Sequence, residues 1–233
     1  ELDVFAKKDA DHKKFLDWLY KNPEAMRLYL DGGNAASSKQ TGMSSYQFKD
    51  TTFNVKNEME SLEIWYQIWK KHESSHQGTN LKIAIATSLE FNKGVYAWYN
   101  EKSQIDPMKR YENLATAEAE GVLFEDFAGL TIREMRNVVN AKISDEDMIW
   151  LRNYMKENKP NMINRNDITK GYSLIKYVAT NPDTGASVQG PNFYGSNPTI
   201  KEVIKYGGVC GAMSKLSSVL AQSYGIPTFP IGQ

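Results

Sequence analysis

The run Thr199-Ile-Lys-Glu-Val-Ile-Lys-Tyr206-Gly-Gly-Val-Cys210-Gly-Ala-Met-Ser-Lys-Leu216 decides how the rest of the chain is read. Thr199 is a good N-cap for a short helix that ends at Gly207-Gly208, where small residues allow a sharp reversal. A second helix is expected to begin at or near Cys210, with Met213, Leu216, Val219 and Leu220 facing inward. Gly225 supplies its stop, and Ile226-Pro227 leads into a strand expected over Thr228 to Ile231.

Composition sets this segment apart from what precedes it. Of 56 charged side chains, 51 lie in residues 1–180 and five in 181–233, while 181–233 holds eight of the 16 glycines and five of the eight prolines. Helical surfaces are rich in charge, and Gly and Pro mark tight backbone, so a helical domain over 1–180 followed by a Gly/Pro-rich loop and helix over 181–233 is expected. The periodicity predicts helices over 8–21, from Pro23 to Gly32, over 58–76, 81–91, from Pro107, over 131–141 and over 144–158. Thr131-Ile-Arg-Glu134 and Ser144-Asp-Glu-Asp147 fit the capping box. Residues 34–52 read as a polar loop. Outside 228–231, Tyr172 to Ala179 alone looks like a strand. The fold class is therefore mainly α.

Charge and length exclude several functions. With 28 basic and 28 acidic side chains there is no global attraction for nucleic acid or an anionic membrane. No apolar stretch is long enough to span a bilayer. One cysteine excludes an internal disulfide and any multi-Cys metal cluster, and no phosphate-binding loop is present, so no cofactor is expected. Nothing in the sequence signals an oligomeric state. Glu1 in place of Met suggests a processed or excised chain.

A cysteine at a helix N-terminus sits at the positive end of the macrodipole beside free backbone N–H groups. Both features favour thiolate, and the same N–H groups can hold an oxyanion. Cys210 is therefore the candidate nucleophile, against the alternative of a buried, inert cysteine in a non-catalytic binding or scaffold module.

The stretch from Gly207-Gly-Val-Cys-Gly-Ala-Met-Ser-Lys215 through Ala221-Gln-Ser-Tyr-Gly-Ile-Pro-Thr-Phe-Pro-Ile-Gly-Gln233 resembles the nucleophile segment of the transglutaminase-like (papain-like) cysteine superfamily. There a G-x-C motif opens a helix that ends in G-I-P before a strand. The likeness is strongest to a branch found in large bacterial surface or secreted proteins, often beside carbohydrate-binding modules. The resemblance implies an α+β core with a Cys-His-Asp triad that hydrolyses or transfers acyl groups at amide bonds. It also implies a protein or peptide substrate in a cell-wall or carbohydrate-associated setting, and a secreted or cell-surface location. In the family the His and Asp follow the Cys, yet no His follows Cys210 here, and His12, His72 and His76 match no family position. The chain is therefore expected to carry an incomplete catalytic core and to be inactive by itself. Papain-type sites use a Gln upstream of the Cys as oxyanion donor, which makes Gln189 and Asn192 candidates for that role.

A second motif, His72-Glu73-Ser-Ser-His76, is formally H-E-x-x-H. On a helix the two His share one face and bind zinc, with Glu73 as base and Glu90 as a third ligand. Lys70-Lys71 before it and Gln77-Gly78 after it argue instead for a polar helix end. The aromatics Trp65, Tyr66, Trp69, Tyr96, Trp98 and Tyr99 suit a sugar-binding groove, or, at helical spacing, a core.

Overall fold

The computed structural model describes residues 2–35, 40–41, 45–46 and 53–230, the two short stretches by backbone alone. Most helices start where a side-chain oxygen can close the open N–H groups of the first turn. Asp9 accepts from the N–H of Asp11 and His12, Asp106 from Met108 and Lys109, and Ser144 from Asp147. Thr131 with Glu134 and Thr199 with Glu202 form complete capping boxes. The resulting helices are α1 (Leu2–Ala6), α2 (Ala10–Lys21), α3 (Pro23–Asp31), α4 (Val55–Lys71), α5 (Gly78–Phe91), α6 (Pro107–Ala119), α7 (Ile132–Val139), α8 (Asp145–Asn158), α9 (Ile200–Tyr206) and α10 (Cys210–Ser223). Two small sheets join β1 (Gln40–Thr41) to β2 (Ser45–Tyr46), antiparallel, and β3 (Val95–Ala97) to β4 (Asn100–Ile105). The protein is mainly helical, as its periodicity implies.

The chain divides into two units. The first comprises Glu1–Ser38, Phe48–Val95 and Asp106–Asn140; the second comprises Lys39–Gln47, Tyr96–Ile105 and Ala141–Gln233. The composition boundary at 180 is therefore not the packing boundary. Helix α8 and residues 159–180 belong with the Gly/Pro-rich segment, because packing follows apolar surface rather than surface charge. Met148, Leu151 and Met155 of α8 are buried, and α8 packs on α9 and α10.

In the first unit α5 is the central helix. Leu81, Ile83, Ala84, Ile85, Ala86, Leu89 and Phe91 are all buried, as are Thr87, Ser88 and Glu90, so it is buried around nearly its whole circumference, as a helix surrounded by others must be. Helices α3, α4, α6 and α7 pack against it. Trp65 and Tyr66 of α4 are fully buried with Phe5 and Phe15, and Tyr29 stacks on Trp65 at 5.3 Å. At the end of α5, Glu90 takes a 2.6 Å bond from Arg136 of α7. The same guanidinium donates to the carbonyls of Gly32 and Asn34 at 2.7 and 3.0 Å, so one buried pair joins α5, α7 and the end of α3. Gly32 lies in the crowded angle between them: a Cβ there would stand 2.4 Å from Leu89 Cδ1 and 2.8 Å from Ile132 Cγ2.

Four expectations differ from what is observed. Strands β1 to β4 all lie outside the two stretches that looked like strands, since a hairpin's pairing is settled across its turn rather than by composition. The helix expected over 58–76 ends at Lys71. His72 turns to φ −127°, ψ 102°, and Glu73–His76 is a 3₁₀ turn. Ser75 Oγ donates to His72 O at 2.7 Å, a local bond that competes with helix continuation. The strand expected over Tyr172 to Ala179 is instead a 3₁₀ segment, Ile168–Leu174, followed by single-residue bridges from Tyr177 to Gly208 and Thr180 to Ser187. Docking on α10 overrides β propensity here: the Tyr172 N–H donates to Ser217 Oγ at 2.7 Å. Thr228 to Pro230 is not a strand either. Its backbone and hydroxyl bond α10, with Gln222 Nε2 donating to Thr228 O at 2.9 Å and Thr228 Oγ1 donating to Ser218 O at 3.0 Å. Ile231 lies outside the described residues, as does most of the polar stretch 34–52.

Two substitutions check this arrangement by urea unfolding. Gly32→Ala overfills the angle between α3, α5 and α7 and is expected to cost about 1–3 kcal/mol. Glu90→Gln strands the Arg136 charge and is expected to cost about 3–5 kcal/mol.

Candidate functional site

The second unit is built around the reversal between α9 and α10. Asn181, buried, shapes the Gly/Pro loop before it. Its Oδ1 accepts from the N–H of Asp183 and Thr184, at 2.9 and 3.1 Å, and its Nδ2 donates to Phe193 O at 2.6 Å. That fixes the backbone beside Tyr194, whose hydroxyl donates to Gly207 O at 2.9 Å. Burial pushes the Tyr194 phenol up to about 12. Asp147, buried in the first turn of α8, accepts from the Tyr99 hydroxyl and from the Ile200 N–H at 3.0 Å. A carboxylate thus holds the N-terminus of α9 and the turn between β3 and β4 on α8.

Gly207 then takes φ 78°, ψ −147°, a conformation open to glycine alone. A Cβ on it would lie 2.3 Å from Lys176 O. Gly208 continues the contact. Its N–H donates to Lys176 O at 3.1 Å and its carbonyl accepts from Val178 N–H at 3.0 Å. The chain is thereby clamped on residues 176–178 just before α10 begins.

Cys210 is the first residue of α10, and its side chain is exposed. The preceding Val209 offers no side-chain cap, and the first turn holds no acidic residue. The first backbone bond of the helix is Met213 N–H to Val209 O at 3.1 Å, which leaves the N–H groups of Cys210, Gly211 and Ala212 open among the described residues. The inert cysteine of the alternative reading is a buried one, and Cys210 is not buried. The inward set is Leu216, Val219 and Leu220, all buried, with Met213 only half-buried. No protein-family model, no curated protein and no solved structure matches this chain.

The other candidates fall elsewhere. Gln189 is exposed in a turn where its N–H donates to Ser187 Oγ at 3.3 Å. Asn192 is exposed at φ 64°, closing a turn in which its carbonyl accepts from the Gly195 N–H at 2.9 Å. The backbones of both residues serve the loop's geometry.

The H-E-x-x-H residues do not share a helical face, because the helix breaks at His72. His72 Nε2 meets Glu112 Oε1 at 2.9 Å, and Lys71 holds the same carboxylate at 2.7 Å, lowering the Glu112 pKa. His76 Nε2 meets Trp69 O at 2.9 Å while its ring stacks on Trp69 at 4.9 Å. Glu73 is exposed, and Glu90 is committed to Arg136. Among the described residues no group of three His, Cys, Asp or Glu is arranged to hold a metal. Trp65 and Tyr66 are buried in the aromatic cluster of the first unit, with Trp69 half-buried at its edge, so these rings serve as core.

Two residues beside the reversal, Tyr194 and Lys215, escaped the sequence reading, and Trp98, read there only as one of six aromatics, meets both. Lys215 Nζ lies over the Trp98 ring, 5.3 Å from its centroid, and the Trp98 and Tyr194 rings meet edge to face at 6.2 Å. One signal was available, since Lys215 is the only charged residue between Tyr206 and Gln233.

The clamp predicts unequal effects of two conservative changes, read by thermal unfolding. Gly207→Ala meets both the backbone conformation and Lys176 O, and should cost at least about 1–3 kcal/mol. Tyr194→Phe removes one hydrogen bond while keeping the ring, and should cost only about 0.5–1.5 kcal/mol.

Proposed function

We propose that Cys210 is an acyl-accepting nucleophile of the transglutaminase-like kind, acting on amide or activated acyl groups of protein or peptide substrates. The observation that supports this reading is an exposed thiol on the first turn of a 14-residue helix whose leading N–H groups have no cap. In the reaction the cysteine sulfur attacks the acyl carbon and a C–S bond forms. Charge gathers on the carbonyl oxygen, and the bond to the leaving oxygen or nitrogen breaks. The open N–H groups of the first turn suit the developing oxyanion, in the manner of backbone donors in other acyl-transfer sites. The resemblance over Gly207–Gln233 supports the same reading and carries with it a bacterial surface or secreted setting.

Turnover needs a base, and none of the three histidines follows Cys210 in the sequence. Each is also engaged within the first unit: His12 Nε2 with Glu63 at 3.1 Å, His72 with Glu112, and His76 with Trp69. Members of a Cys-His-Asp set act as a unit, so a thiol lacking its partners takes up one acyl group and releases it slowly.

The 233-residue chain with p-nitrophenyl acetate should release one equivalent of nitrophenolate per chain and then stall. One hydroxylamine-labile acetyl group should be found on Cys210 by peptide mass spectrometry. Cys210→Ala should abolish both burst and adduct. A burst that survives in Cys210→Ala, or no acylation of Cys210 in the unchanged chain, overturns the proposal.

A further inference from the structure

We draw no further inference here: the strongest candidate, the open backbone edge at exposed Tyr177 in the second unit, whose N–H and C=O meet no partner among the described residues, carries nothing because nothing in the structure shows what covers it.

Discussion

The carbonyl of Lys176 leaves no room for a side chain at position 207, and the geometry of the second unit follows from that exclusion. Because only glycine fits, the backbone can reverse within two residues between α9 and α10. The partner of Gly208 N–H and C=O is then the 176–178 backbone rather than water. The reversal is supported from outside by Tyr194 on Gly207 O and by Asp147 on the first N–H of α9. The result is a helix start that is rigidly held yet chemically open. Its own residues do not cap it, and the side chain at its head projects to the surface.

The first unit reaches order by another route. A buried, mostly apolar helix is enclosed by aromatic and aliphatic neighbours, and one ion pair fixes the angle at which three helix ends meet. The last turn of α3 is closed by the N–H groups of Gly32 and Gly33 and by Arg133 on Asp31 O, while Arg136 holds the carbonyls of Gly32 and Asn34 just beyond it. An arrangement of this kind is intolerant of changes in volume at Gly32 and of charge loss at either partner.

Helix positions were legible because their signals are local. A capping oxygen at Asp106, Thr131, Ser144 or Thr199 and the apolar spacing that follows it require no knowledge of the rest of the chain. The Cys210 start and the Gly207 reversal were legible for the same reason. The failures have a common cause in tertiary contact. Tyr172 to Ala179 has strand composition, but a serine on α10 captures the Tyr172 N–H. His72 and His76 keep the spacing of a metal helix, but the helix ends at Lys71 and a 3₁₀ turn carries the chain from one to the other. Glu90 looked free for a metal until Arg136, 46 residues later in the chain, proved to be its partner. Lys215 over Trp98 joins residues more than a hundred positions apart, beyond the reach of any periodicity.

A lone exposed thiol also has a consequence for how this protein behaves in air. With no second cysteine in the chain, oxidation cannot close an internal bridge. The oxidised product is a mixed disulfide with a small thiol or a pair of chains joined head to head through Cys210. Either product buries the helix start under a covalent cap that a reductant removes. The redox poise of the surroundings therefore decides whether the Cys210 thiol is free.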